Sequence, residues 1–194
     1  IFDRMNRLIK FLIKEVDNAA MKKLFLVVFN IMFFVVSFAK ADGIICISDN
    51  TRRDLLDIYP ELSSKAIITI HHGIDEALVS DFDAPQVSSS YALYVGARHN
   101  YKSFDHAVLG FSKSKFCANG GQLLCTGANF TSTETKFLSD NGLESRVMSV
   151  GRVSKERLAT LYKNAFALIY SSSYEGFGLP LLEAMSCGLP IVCS

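Results

Sequence analysis

"GRVSKERLATLYKNAFALIYSSSYEGFGLPLLEAMSCGLPIV" occupies residues 151–192 and alternates helix-like with strand-like stretches. A helix is expected from about Ser154 to Asn164, and "FALIYS" follows as a short apolar run of strand length. A glycine-rich loop comes next, then a helix from Pro180, then a further strand, "PIVCS". Upstream the same order recurs: "YALYVG", a helix from about Ser103 to Lys115, "QLLCTG", a helix opened by Thr131 with Glu134 as its capping box, and "RVMSV". Five strands separated by helices imply a parallel sheet covered on both faces. Right-handed crossovers then make it a doubly wound, Rossmann-like α/β domain over 91–194.

Ahead of it, "DFDAPQVSSS" at 81–90 has the proline and serine content of a linker. Residues 1–80 are expected to form the end of a second α/β domain. They contain a strand, "GIICIS" (43–48), a helix with Thr51 and Asp54 spaced as a weak capping box and Pro60 at its end, and a second strand, "AIITIHHGID". The first residue is Ile1, and the last strand stops without a following turn, as in a fragment cut at both ends.

With 194 residues, 49% of them hydrophobic and 20% charged, the chain can bury one full core and part of another. A net charge of +1 provides no bulk field to draw it to nucleic acid or an acidic surface, so any anion must be met by local groups. Five scattered cysteines (Cys46, Cys117, Cys125, Cys187 and Cys193) form no C-x-x-C pair and read as reduced, buried thiols of a cytoplasmic protein. The stretch from Met21 to Ala41 carries lysines, an apolar run and an A-x-A site, as a secretory signal does. A helical face on Met5, Leu8, Ile9, Leu12, Ile13 and Val16 precedes it, and its uncharged run is shorter than the roughly 18 to 20 residues of a spanning helix. A buried core helix is the expectation, with signal peptide and membrane-associated helix as alternatives.

Ligands of such sheets sit beyond the carboxyl ends of the strands, which directs attention to the loops there. In "LYVGARHNYKSFD" (93–105) the spacing from Gly96 to Lys102-Ser103 is that of a phosphate-cradling G-x-x-x-x-G-K-S loop, but Tyr101 stands where the second glycine belongs. Arg98 and Lys102 offer another route: a planar fork and a compact charge on one loop can neutralise a diphosphate without a metal. In the last loop, Gly176 and Gly178 clear the backbone and Pro180 suits the first turn of a helix, so main-chain N–H groups can face an anion. Glu175 and Glu183 flank that loop with seven residues between them. Asp81-Phe82-Asp83 in the linker reads as a solvated turn, and no His/Cys/Asp cluster has metal spacing. His71 and His72 read as loop histidines.

The Glu175-to-Glu183 stretch resembles the E-x7-E signature of retaining GT-B glycosyltransferases, which move sugars from nucleotide donors. "ADGIICISDNTRRDLL", "HHGID" and "LYVGARHNYKSF" are similar to further segments of that family, and the Tyr-Lys form of the last to bacterial mannosyltransferases of polysaccharide assembly. The resemblance implies a GT-B type fold, with 91–194 as a C-terminally truncated donor-binding domain and 1–80 as the end of the acceptor-side domain. It also implies a hexosyltransferase with no cofactor or metal. The donor would be a nucleotide sugar, GDP-mannose favoured, and the acceptor a glycan or lipid-linked sugar. The place implied is the cytoplasm, extending to peripheral contact with the inner membrane face.

By the same resemblance Arg98, Lys102 and the amides around Phe177, Gly178 and Leu179 hold the pyrophosphate. Glu175 takes the hexose hydroxyls and Glu183 the ribose, while Gly96, Gly127, Gly151, Arg152 and Val153 line the base and phosphate side. The chain alone is expected to bind donor without turnover. A non-catalytic nucleotide-binding module, or an epimerase or phosphorylase on the same architecture, is the rival reading.

Overall fold

The computed structural model describes residues 41–75, 78, 90–98 and 100–194, the side chain of residue 100 excepted. The segment from Met21 falls outside them except for Ala41, as do Asp81-Phe82-Asp83 and the rest of the expected linker up to residue 89. The chain forms two compact units that divide between His71 and His72, ahead of that linker.

In the first unit β1 (Gly43–Cys46) and β2 (Ala66–Thr69) pair in parallel, joined by α1 (Asp49–Ile58) and a 3-10 turn at Pro60–Ser64. The helix is capped by Ser48, whose Oγ accepts from the Thr51 amide at 2.9 Å, and not by Thr51 as its spacing suggested. The start therefore falls three residues earlier, because Ser48 is already extended (φ −154°) and free to turn its oxygen back onto the first turn.

The second unit holds β3 (Tyr91–Tyr94), α2 (Phe104–Ser112), α3 (Lys115–Ala118), β4 (Gln122–Thr126), α4 (Ser132–Asp140) and β5 (Val147–Gly151). It continues with α5 (Lys155–Asn164), β6 (Ala167–Tyr170), α6 (Leu179–Ser186) and β7 (Ile191–Cys193). All five strands are parallel, in the order β5-β4-β3-β6-β7. This is the doubly wound sheet expected from the alternation of strands and helices.

Strand periodicity sorts the core into two layers. Ala92, Tyr94, Leu123 and Cys125 point to the face covered by Phe104, Val108 and Phe111 of α2 and Leu138 of α4. Tyr91, Leu93, Leu124, Leu168 and Tyr170 point to the other face, under Ala159, Leu161 and Tyr162 of α5 and Ala184 of α6. β3 is buried along its whole length, as a central strand must be. Leu78 also joins the second layer.

Cys46, Cys117 and Cys125 are buried free thiols, and burial pushes Cys125 up to about 12. Cys187 is only half-buried and Cys193, on the edge strand β7, is exposed, so burial does not extend to all five. Among the described residues no helix is long and apolar enough to cross a membrane.

Candidate functional site

The chain leaves β3 toward β4 and β5 and returns across the sheet to β6, so the strand order reverses between β3 and β6. At such a reversal the two following loops diverge to opposite faces and leave a crevice at the carboxyl ends. The loop after β3 carries Gly96, Arg98 and Lys102, and the loop after β6 carries Glu175, Phe177 and Gly178.

Hydrogen bonds staple these two loops together. Tyr101 O accepts from the Ser173 amide at 2.8 Å and from Ser173 Oγ at 3.0 Å. Ser171 Oγ lies 2.8 Å from Lys102 O and 3.1 Å from Ser103 O, and Tyr94 Oη donates to Lys102 O at 3.3 Å. Ser103 sits in the left-handed region (φ +47°), a cost of about 1 kcal/mol for a residue with a Cβ, and the staples hold it there. Asn100–Lys102 forms a 3-10 turn ahead of α2, and the Lys102 ammonium pairs with Glu175 Oε1.

Ser172 Oγ donates to the same carboxylate oxygen at 2.8 Å. Burial works to raise the Glu175 carboxyl, but hydrogen bonds from Lys102 and Ser172 outweigh it and hold it below the usual carboxylate range. Burial, with Glu175 as its neighbour, pushes the Tyr170 hydroxyl well up. The ammonium also lies 5.6 Å from the Tyr101 ring centroid and 5.4 Å from that of Tyr170.

Arg98 turns toward β4. Its Nε donates to Glu134 Oε1 at 2.7 Å, and Nη2 donates to Ala128 O at 2.7 Å and to Asn129 O at 3.0 Å. The guanidinium carbon lies 5.0 Å from the Phe130 ring centroid and 5.6 Å from that of Phe104. The side chain is only 5% exposed, and Nη1 has no hydrogen-bond partner among the described residues. Burial works to raise the Glu134 carboxyl, while Arg98 and Thr131 together bring it below the usual range.

Loop glycines crowd the ends of β3, β4 and β5. A Cβ on Gly127 (φ +116°) would lie 2.7 Å from Gly96 O, so neither conformation nor space admits another residue there. The Gly127 amide donates to Gly151 O at 2.9 Å. Gly96, Arg98, Gly127, Glu134 and the exposed Arg152 line one cavity of about 460 Å³. Val153 instead packs against the second core layer.

Gly178 (φ +82°) opens α6, with Pro180 in its first turn. Leu179, the first residue of that helix, is 38% exposed. Phe177 meets the His72 ring edge-on at 5.5 Å, which puts one of the two loop histidines beside this bend. Glu183 lies on α6, where Glu183 Oε2 accepts from Tyr162 Oη at 2.7 Å. Among the described residues no three His, Cys, Asp or Glu side chains gather as a metal site.

Of the residues expected to act together, Lys102 meets Glu175, and Gly96, Arg98, Gly127 and Arg152 share a cavity. Arg98 and Lys102 are bound to different carboxylates, Glu134 and Glu175. The partners Glu134, Tyr162 and Tyr170 were absent from the expected site. Glu134 was visible only as a helix cap, and the tyrosines only as apolar positions of α5 and β6.

The sequence profile of the family described as glycosyl transferases group 1 matches residues 82–194. The chain is 55% identical to the O-antigen chain mannosyltransferase B of Escherichia coli over 51 residues, 26% of this chain and 13% of that protein. It is 26% identical over 159 residues to the O-antigen chain mannosyltransferase RfbU of Salmonella typhimurium, 82% of this chain and 44% of that protein. The structure of WaaG, a glycosyltransferase involved in lipopolysaccharide biosynthesis, superposes with a TM-score of 0.64 at 19% identity, covering 77% of this chain and 43% of that one; at this identity the likeness is one of fold. The chain spans less than half the length of each of these proteins. A doubly wound sheet of the GT-B kind and a family match across the whole of it agree: the chain belongs to the glycosyl transferases group 1 family.

Proposed function

We propose that this chain supplies the donor-binding half of a retaining, metal-independent hexosyltransferase that moves mannose from GDP-mannose to a glycan or lipid-linked acceptor. The reading rests on one observation above the others: Lys102 and Glu175, 73 residues apart, pair across the crevice where the strand order reverses, beside the helix that Gly178 opens. Departure of a nucleoside diphosphate places negative charge on its outer phosphate and positive character on the sugar carbon. A cation, main-chain amides and a carboxylate in one crevice suit both.

In this reading the bond between the sugar carbon and the diphosphate oxygen breaks with its electron pair on the oxygen. Lys102, the remaining N–H groups of Arg98 and the amides at Phe177, Gly178 and Leu179 receive that charge, in the place a divalent metal would otherwise take. Glu175 accepts hydrogen bonds from the hexose hydroxyls and Glu183 from the ribose. Gly96, Gly127, Arg152 and Val153 border the base and phosphate side. The acceptor hydroxyl oxygen bonds to the same face of the sugar carbon and its proton passes to the departing diphosphate oxygen, a retaining outcome supported by the likeness of the Glu175–Glu183 spacing to E-x7-E. Mannose is favoured by the names of the two O-antigen relatives. The work would be done in the cytoplasm, with peripheral contact to the inner membrane face for a lipid-linked acceptor.

A thermal-shift panel of GDP-, UDP- and ADP-sugars tests the donor. At about a hundred times its dissociation constant, the true donor stabilises the fold by about 2.7 kcal/mol. GDP-mannose is expected to give the largest rise, and labelled mannose should reach acceptor in the full-length protein. A panel with no shift from any nucleotide sugar refutes the donor-binding reading.

A further inference from the structure

We propose that Glu134 is a positioning residue for the donor site: it clamps the Arg98 guanidinium so that Nη1 stays beside Gly127, in the wall of the cavity that Arg98 lines with Gly96 and Gly127. The inference rests on the reading of Arg98 as a diphosphate ligand.

Of the three guanidinium nitrogens, Nε is bound by Glu134 at 2.7 Å, and Nη2 is bound by Ala128 O and Asn129 O. The group also lies against the Phe104 and Phe130 rings. Nη1 is left over, without a hydrogen-bond partner among the described residues, in a side chain 95% buried. It lies 3.7 Å from the point where a Cβ on Gly127 would stand. A buried guanidinium N–H pair without an acceptor is costly, and the acceptors it suits best are anionic oxygens.

A planar fork can present its free edge only if its other two edges are fixed, and the carboxylate fixes one of them. The carboxylate is itself immobile, because Glu134 Oε2 accepts from the Thr131 amide at 2.7 Å and from Thr131 Oγ1 at 2.9 Å, closing the capping box of α4. One side chain thus joins a helix start to the aim of a cation 36 residues away. Helix propensity calls for the cap, and a glutamine would close a capping box as well. The charge is what Arg98 adds to that requirement.

The test is titration of the full-length protein with GDP, alongside melting curves. Glu134→Ala and Arg98→Ala should each weaken GDP binding about tenfold, and the double variant should weaken it no further, because both remove the same contact. Leu138→Ala lowers the melting temperature through a buried residue of the same helix and should leave GDP affinity unchanged. Should Glu134→Ala fail to fold, Glu134→Gln decides: its amide oxygen can still accept from Arg98 without charge, and a loss of about threefold is expected, whereas wild-type affinity overturns the proposal. If Arg98→Ala weakens binding and Glu134→Ala does not, the positioning role is wrong. If Arg98→Ala itself leaves GDP affinity intact, the fault lies in the reading of Arg98 as a ligand, and the positioning role falls with it.

Discussion

Arg98 and Lys102 stand four residues apart on one loop, yet one is built in and the other is held on a tether. Arg98 has a carboxylate, two carbonyls and two aromatic rings around a side chain 5% exposed. Lys102 has one carboxylate partner, two flanking rings and 12% exposure. A planar guanidinium with five donors can be satisfied on several sides at once, whereas an ammonium on a four-carbon stem can trade one acceptor for another. In the proposed reading the two cations divide the labour at the carboxyl edge of the sheet: Arg98, tied to the start of α4, offers one fixed edge, and Lys102 can exchange Glu175 for an anion at the loops after β3 and β6.

The largest expected effect breaks the tethered pair from its acidic side. Glu175→Ala should lower transfer by about a hundredfold to a thousandfold, as loss of a group that acts on the reacting sugar does. GDP affinity should not fall, and should rise severalfold, because Lys102 loses the acceptor that competes with phosphate. Transfer kinetics and GDP titration on one variant check both halves, and persisting transfer removes Glu175 from the mechanism.

Next comes stability at the built-in pair. Arg98→Ala strands the Glu134 carboxylate and two carbonyls and should cost about 3 kcal/mol in denaturant unfolding. Lys102→Ala should cost about 1 kcal/mol and weaken GDP binding about tenfold. Equal stability losses would erase the contrast between the two cations.

Gly127→Ala should destabilise by about 2 kcal/mol, since a Cβ there meets Gly96 O at 2.7 Å in a left-handed backbone. Melting curves read the loss, and a neutral result would mean that the loops after β3 and β4 can part.

The smallest effect expected is on pH. Both carboxylates lie below their ordinary pKa, so each contributes stability in full above the unfolded value of about 4.3 and loses it as pH falls through the lowered folded value. The stability gap between wild type and Glu175→Gln, or Glu134→Gln, should therefore be open at pH 6 and begin to narrow as pH falls below about 4.3. A gap that persists into acid would mean that the lost stability is not electrostatic.

Much of the architecture was legible along the chain because it depends on neighbours in sequence. Apolar runs of strand length, helical stretches between them and the Thr131–Glu134 capping box are set by contacts within a few residues, and the structure contains each. The site was legible as a set of loops and not as a set of partners. Glycines at 96, 127 and 178 announced themselves through residue type, and all three do adopt positive φ.

What only tertiary structure decided is who meets whom. The strand order β5-β4-β3-β6-β7 sets the loops after β3 and β6 side by side, and so delivers Lys102 to Glu175. The same order puts β4 on the other flank of β3, where Arg98 finds Glu134. Residues 36 and 73 positions apart are joined by chain crossings that no local pattern encodes. The sequence by itself determined which side chains stand at the rim of the sheet, because a strand's end is a local event; their pairing waited for the sheet to assemble, because it depends on which strands become neighbours.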